Sequence, residues 1–297
     1  MGYGSYRSSD WAKLKSSAKI TDAASASQIF TSRSMEERFN PAFINMRESM
    51  DSEDHPNSTP IIIGLDTTGS MGYLSEEIAK NGLNETMLKL YSTGLVEDPQ
   101  IMFAAVGDIF DEAPLQVTQF ESDIRIAEQL LALWLEGKGF DAPEDFELLW
   151  YFADKHTRID SFNKHGKKGF LFTIGDADVH EKLEGKHINR IFNDKADDIT
   201  SEELAKKAME KYEVYHIHLT SGKYIPPVFA NVLPGRVATL GKNEVSRIPE
   251  LIISIMLLSL GESPDKVYAN WDPMAAKVVK KAVEGMVFKT KKSGIFF

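Results

Sequence analysis

Short apolar runs alternate with amphipathic stretches along most of this chain, and that alternation limits the folds open to it. The strand-like runs are residues 61–66, 101–107, 170–175, 214–219 and 236–240. Strands that alternate with helices predict a parallel, doubly wound sheet, because a helix must carry the chain back before the next parallel strand can begin. Residues 115–120, which follow Pro114, predict one short edge strand.

The helices between the strands have recognisable beginnings. The expected openings are an acidic first turn at Ser75-Glu76-Glu77, a cap at Ser122 before residues 123–135, and Ser201-Glu202-Glu203 before residues 204–212. Further helices are predicted near residues 247–260 and 273–287, with shorter ones near 10–19 and 23–30. Residues 251–258 are almost entirely apolar, which predicts a helix buried on most sides.

The chain divides into one main domain with an extension at each end. Residues 1–59 are rich in Ser, Ala, Asp and Arg and are interpreted as an N-terminal extension and a loop. Phe39, Phe43 and Ile44 are expected to pack onto the main body. Residues 60–262 form the predicted domain, and residues 263–297 form a C-terminal helical extension. Single α/β domains commonly reach about 200 to 250 residues, so one main domain is expected.

The composition excludes several classes of function. There is no cysteine, which removes disulfides, thiol nucleophiles, zinc fingers and iron–sulfur clusters. The formal net charge of −10 works against binding nucleic-acid phosphates. No apolar run approaches the roughly 18 residues of a membrane span. With neither signal peptide nor anchor visible, the expectation is a cytoplasmic protein that binds neither nucleic acid nor membrane.

One strand ends in a cluster of oxygen-bearing side chains. Asp66 closes the run Ile61-Ile62-Ile63-Gly64-Leu65, and Thr68 and Ser70 follow at two-residue spacing. Alternate side chains at a strand end point into one crevice, and the nearby glycines permit a tight turn into the next helix. Oxygen ligands of this kind suit Mg²⁺, Mn²⁺ or Ca²⁺ rather than a soft metal.

Two more strand-like runs also end in acidic residues. Asp108 follows residues 101–107, and Asp176 follows residues 170–175. Ligands of open parallel sheets sit beyond the carboxyl ends of the strands, where the strand order reverses. We therefore expect Asp66, Asp108 and Asp176 to converge at one rim, although a solvated loop acid explains Asp108 equally well.

The segment Asp66-x-Thr68-x-Ser70 resembles the Asp-x-Ser/Thr-x-Ser motif of von Willebrand factor A (vWA) domains, where it forms the metal-ion-dependent adhesion site (MIDAS). Residues 104–108, 137–145 and 170–180 resemble further segments of a subset of these domains, in the same order. The resemblance covers roughly residues 60–260. It implies an α/β, Rossmann-like, doubly wound and mostly parallel sheet with helices on both faces and one short antiparallel edge strand.

The resemblance also implies metal ligands. Thr68 and Ser70 would bind through their hydroxyls, Asp66 and Asp176 directly or through water, and Asp141 from a third loop. The cation would be Mg²⁺, or else Mn²⁺ or Ca²⁺, and an acidic residue of a protein partner would complete its shell. Asp141 replaces the family's usual threonine, so the cation should be held more tightly and attract an acidic partner less.

The leading functional hypothesis is a metal-dependent protein–protein interaction module that performs no chemistry. By family analogy it would be an adaptor or scaffold in a larger assembly, beside a ring-shaped ATPase or assembly subunits. One alternative is a phosphotransferase of the haloacid-dehalogenase type with Asp66 as nucleophile. That family normally has a second Asp two residues after the nucleophile, or a Lys-Thr-Gly-Thr run, and Thr67 and Thr68 satisfy neither. Another is a structural assembly component with a vestigial metal site.

The histidines near the strand ends have simpler interpretations. His216 and His218 share one face of a strand and are interpreted as packed, hydrogen-bonded side chains rather than metal ligands. Asp178 and His180 are interpreted as a loop acid and a helix-start histidine, with a place at the metal's border as the alternative.

Overall fold

The computed structural model describes residues 4–94, 96–137, 143–220 and 222–288, without the side chains of Ser70, Ser92 and Thr93. Its strands are β1 (Arg47–Ser49), β2 (Thr59–Asp66), β3 (Pro99–Val106), β4 (Leu115–Val117), β5 (Thr157–Ile159), β6 (Gly169–Gly175), β7 (Lys182–Leu183), β8 (Ile199–Thr200), β9 (Tyr212–Leu219) and β10 (Val237–Leu240). Its α-helices are α1 (Ser8–Ser17), α2 (Ala26–Ile29), α3 (Gly72–Glu77), α4 (Leu83–Thr93), α5 (Arg125–Leu131), α6 (Phe146–Lys155), α7 (Asp160–Asn163), α8 (Gly185–Phe192), α9 (Ser201–Lys211), α10 (Pro227–Val232), α11 (Ile248–Ser259), α12 (Pro264–Ala269) and α13 (Pro273–Ala282). A π-helical turn, Ile78–Gly82, joins α3 to α4, and 3₁₀ turns cover Glu37–Phe39, Pro41–Phe43, Gly69–Met71 and Lys242–Arg247.

The main sheet has the strand order β10-β9-β6-β2-β3-β4. Its neighbours pair in parallel except β3 and β4, which are antiparallel. The predicted fold class is confirmed, including the short antiparallel edge strand. Because β3 lies on one side of β2 and β6 on the other, the strand order reverses at β2. This is the place where open α/β sheets form a crevice.

Side chains alternate between the two faces of the sheet. On β2, Ile61, Ile63 and Leu65 pack into one helical layer, whereas Ile62 packs into the other. The first layer contains α1, α3, α4, α5, α11, α12 and α13, and the second contains α6, α8, α9 and α10. Gly64 allows the second layer to approach closely, since a Cβ there would lie 2.3 Å from Cδ2 of Leu149.

Helix α11 is the most deeply buried helix of the first layer. All its residues from Ile248 to Leu258 are buried, as its apolar sequence predicts. Complete burial of an aliphatic side chain contributes about 1.5–3 kcal/mol relative to exposure. In the part of the chain described above, no helix is both long and apolar enough to cross a bilayer.

Both terminal segments contribute to the first layer. Trp11 and Phe39 from the N-terminal side and Val267 and Val279 from the C-terminal side are each at most 5% exposed and belong to the same apolar cluster. The expected packing of Phe39 and Ile44 is confirmed, because Ile44 is also buried. The predicted packing of Phe43 is wrong, since its side chain is 66% exposed. In the 3₁₀ turn Pro41–Phe43 the proline is buried instead.

Some predicted helix ends are wrong. Ser122 does not cap α5, because its hydroxyl donates to the carbonyl of Gly4 (2.6 Å), and Asp123 accepts the Arg125 backbone N–H instead (3.0 Å). Helices α5 and α13 end earlier than predicted, at Leu131 and Ala282. Thr200 caps α9 by accepting from the Glu203 backbone N–H. The parallel pairing of β1 with β5 had no counterpart in the sequence prediction.

Candidate functional site

The two central strands place two acidic residues side by side. Leu65 of β2 lies opposite Ile174 of β6, so Asp66 ends its strand beside Gly175, the residue before Asp176. A Cβ on Gly175 would lie 2.6 Å from Cζ of Phe146 and 2.9 Å from Oδ2 of Asp66. Glycine at this position therefore permits the close approach of the two strand ends.

Asp66 is completely buried, and its two oxygens have different environments. Oδ1 accepts from the backbone N–H (2.9 Å) and the hydroxyl (2.6 Å) of Thr68. Oδ2 is buried and has no hydrogen-bond partner among the described residues. Burial raises the pKa of Asp66 to about 6. The bonds from Thr68 and the nearby backbone N–H of Asp176 oppose that rise, and the charge of Asp176 adds to it. A buried carboxylate oxygen without a partner is costly.

Glu144 and Tyr73 join this cluster, and the sequence prediction assigned neither. Glu144 is 7% exposed, and burial followed by the charges of Asp66, Asp145 and Asp108 raises its pKa to about 8. The Tyr73 hydroxyl is buried and unpartnered within the described chain, and burial raises its pKa to about 12. The sequence carries a signal for Glu144, because it ends the run Asp141-Ala142-Pro143-Glu144 within residues 137–145, one of the segments that resemble the vWA subset.

Asp176 is neutralised by a lysine from the edge of the sheet. Its Oδ2 lies 2.5 Å from Nζ of Lys242. Lys242 begins the 3₁₀ turn that follows β10. Its side chain is 52% exposed, so the ammonium group reaches the cluster from the solvent side. An internal cation thus balances one carboxylate of the rim while Oδ2 of Asp66 stays unpartnered in the described part of the molecule.

The structure brings together three of the five predicted metal ligands, Asp66, Thr68 and Asp176. The side chain of Ser70 and the whole of Asp141 lie outside the described residues. The described ligand atoms are hard oxygens, and Oδ2 of Asp66, which lacks a hydrogen-bond partner, is suited to bind a cation. The chemical type of these ligands therefore fits Mg²⁺, Mn²⁺ or Ca²⁺. Within the described ranges, no group of three or more His, Asp or Glu side chains has metal-holding geometry by itself.

The carboxylates of two other acidic residues at this rim accept hydrogen bonds from backbone N–H groups. Oδ1 of Asp108 accepts from the Phe110 backbone N–H (2.7 Å). The carboxylate of Asp178 accepts from the backbone N–H groups of Val228 (2.9 Å) and Phe229 (3.1 Å) in the first turn of α10. The interpretation of Asp178 as a loop acid therefore agrees with its contacts.

His216 and His218 are packed beneath the rim. His216 is fully buried, hydrogen bonds through Nδ1 to the Thr173 hydroxyl (2.9 Å), and stacks on Phe229 at 3.7 Å between ring centroids. The expected packing and hydrogen bonding therefore hold for His216. Burial lowers the pKa of both histidines. Nδ1 of His218 and Nε2 of His216 have no hydrogen-bond partner among the described residues.

Comparison with known proteins gives distant structural likenesses. No protein-family model matches the chain, and no curated protein matches it. Similar solved structures include the pilus adhesin SpaC from Lactobacillus rhamnosus GG, with TM-score 0.47 and 11% identity, covering 72% of this chain and 31% of the adhesin. Proximal thread matrix protein 1 from the mussel byssus has TM-score 0.44 and 12% identity, covering 67% of this chain and 48% of that protein.

A von Willebrand factor type A protein from Catenulispora acidiphila has TM-score 0.36 and 11% identity, covering 70% of this chain and 44% of that protein. This chain therefore spans less than half the length of each of these three proteins. At such TM-scores the likenesses carry no argument about function.

Proposed function

We propose that this protein is a vWA-type interaction module whose MIDAS-like rim, centred on Asp66, binds a divalent cation and through it a protein partner. The observation that supports this most directly is Oδ2 of Asp66, which is buried beside Asp176 without a hydrogen-bond partner among the described residues. Bringing carboxylates together in a buried place raises their free energy unless a cation joins them.

The proposed ligands are oxygens from separate loops. Asp66, Thr68 and Asp176 come from the two central strand ends, and the sequence motif adds Ser70 and Asp141. A divalent cation held by such a set retains coordination positions for water or for a carboxylate of the partner. The role of adaptor or scaffold in a larger cytoplasmic assembly, beside a ring-shaped ATPase, rests on the family resemblance alone.

Calorimetric titration with Mg²⁺, Mn²⁺ and Ca²⁺ tests the metal. The wild-type protein is expected to bind at one site, and Asp66→Asn is expected to lose binding because the amide replaces the orphaned carboxylate oxygen. Asp108→Asn is the matched control, since it removes one charge from the same rim but leaves an acceptor for the Phe110 N–H. Absence of uptake by the wild type, or equal uptake by Asp66→Asn with its circular dichroism unchanged, would refute the proposal.

Affinity capture tests the interaction itself. A partner is expected to be retained with Mg²⁺ by the wild type and by Asp108→Asn, and lost with chelator or with Asp66→Asn. If the partner is retained both in the presence of chelator and by Asp66→Asn, other surfaces of the protein make the contacts. Hydrolysis of a phosphoester that requires both Mg²⁺ and Asp66 would instead support the phosphotransferase alternative.

A further inference from the structure

A cavity of about 590 Å³ lies at the amino ends of the central strands, at the opposite edge of the sheet from Asp66. We call it the amino-end cavity. Its lining includes Thr59 of β2, Phe170 of β6 and Glu213 of β9. Strand β2 has eight residues, and a strand rises about 3.3 Å per residue, so about 23 Å separates Thr59 from Asp66. The cavity is therefore separate from the proposed metal site, and its volume suits a small molecule.

Part of the cavity wall is apolar. Val96 and Phe170 contribute to it and are buried. Leu260, which follows α11, also lines the cavity but is 45% exposed. A leucine that is exposed in a concave wall leaves apolar surface in contact with water. A ligand that covers this side chain would remove that surface from water, which favours binding.

A buried hydroxyl group of the lining lacks a hydrogen-bond partner. Ser161 of α7 is 4% exposed, and its Oγ has no hydrogen bond among the described residues. The carbonyl of Ser161 accepts from the backbone N–H of Lys167 (2.7 Å), so these two residues of the lining are neighbours in space. A hydroxyl group that is buried without a partner costs free energy, and an acceptor atom of a ligand would reduce that cost.

Two consecutive lysines of the lining lack a carboxylate partner. Lys167 is exposed, and the half-buried Lys168 donates to the backbone carbonyl of Met209. Within the described residues, neither ammonium group forms an ion pair. Glu213, an acid of the same lining, is already paired with Arg236 at 2.8 Å. The positive charge of the two lysines is therefore not balanced by the nearest buried acid.

These features together match an organic anion with an apolar body. A carboxylate can accept from one hydroxyl group and one ammonium group, and such charged hydrogen bonds are stronger than neutral ones. A phosphate group is more often held by guanidinium groups or by a set of backbone N–H groups, and the described lining contains no arginine. The chemistry of the lining therefore favours a carboxylate.

We propose that the amino-end cavity binds a small carboxylic acid in its ionised form, with the carboxylate accepting from Ser161 and Lys167 and the apolar body covering Leu260. The site uses none of the proposed metal ligands. It therefore goes beyond the function proposed above and is independent of it.

The test titrates chelator-treated wild-type protein with hexanoate, followed by NMR at constant ionic strength and neutral pH. The neutral isostere hexanamide is the control ligand. We expect saturable binding of hexanoate, with shifts of the methyl signals of Val96 and Leu260. Hexanamide is expected to bind at least about fivefold more weakly, because it lacks the charge that strengthens the hydrogen bonds. Equal binding of the two probes, or no binding of either, overturns the proposal.

Variants then locate the binding site. Lys167→Gln and Ser161→Ala are each expected to weaken hexanoate binding by about threefold or more, whereas Lys164→Gln, which removes an equal charge from the same loop, leaves it unchanged. Leu260→Asp places a like charge in the wall and is expected to abolish binding, while Met274→Asp, at another exposed apolar side chain, is the matched control. Binding that survives Lys167→Gln, Ser161→Ala and Leu260→Asp, or that falls equally in the controls, overturns the proposal.

Discussion

Replacing Glu144 by glutamine is expected to remove part of the pH dependence of folding stability in metal-free protein. Glu144 is 7% exposed and surrounded by other acids, and its pKa is raised from 4.5 to about 8. A carboxyl group whose pKa is higher in the folded state than in the unfolded state holds its proton more tightly when folded. Its contribution to stability is therefore fully present below about pH 4.5 and is lost as the pH rises toward about 8.

The magnitude follows from the linkage between proton binding and stability. One pKa unit corresponds to about 1.36 kcal/mol, so this single group should lower the free energy of unfolding by about 3 kcal/mol between about pH 5 and about pH 7.5. Glutamine has a similar shape but does not titrate. Between about pH 5 and about pH 7.5 the Glu144→Gln variant should therefore lose about 3 kcal/mol less of its free energy of unfolding than the wild type.

Urea denaturation in chelator, at several pH values across this interval, measures the difference. Glu210→Gln is the matched control, because Glu210 is exposed on α9. The control is expected to follow the wild-type curve. Parallel curves for wild type and Glu144→Gln would refute the reasoning, since they would mean that the folded protein does not hold the proton of Glu144.

Three further outcomes are expected. Lys242→Gln should raise the affinity for Mg²⁺, because it removes the ammonium group that contacts Asp176. Lys223→Gln removes an equal charge from an ion pair with Glu284 and should leave the affinity unchanged. Calorimetric titration of both variants with Mg²⁺ measures the difference. Gly175→Ala should abolish Mg²⁺ binding and lower the melting temperature, since its Cβ would lie 2.6 Å from Cζ of Phe146 and 2.9 Å from Oδ2 of Asp66. An unchanged melting temperature and affinity would refute this. Saturating Mg²⁺ should raise the melting temperature of the wild type more at about pH 7.5 than at about pH 5, because protons compete with the cation for raised-pKa carboxyls.

The sequence predicted the strands of the main sheet and the residues at their ends. The short apolar runs bounded by turn residues form buried strands here, and the carboxyl ends of parallel strands share one edge, so Asp66 and Asp176 could be placed together from their positions alone. The predicted edge strand at residues 115–120 follows from the same local pattern, and β4 occupies residues 115–117 of it. Helix ends such as that of α5 were less predictable, because loops compete for the same capping groups.

The tertiary structure alone decided which other groups join the site. Lys242 follows the edge strand β10, and Tyr73 lies in the helix after the Asp66 loop, so only the folded chain reveals their contacts and charges at the cluster. The high pKa of Glu144 is a consequence of burial, which depends on neighbours from many parts of the chain. The local sequence determines where a strand forms and which acidic residue ends it. The pKa of that acidic residue depends on the groups that the fold packs around it.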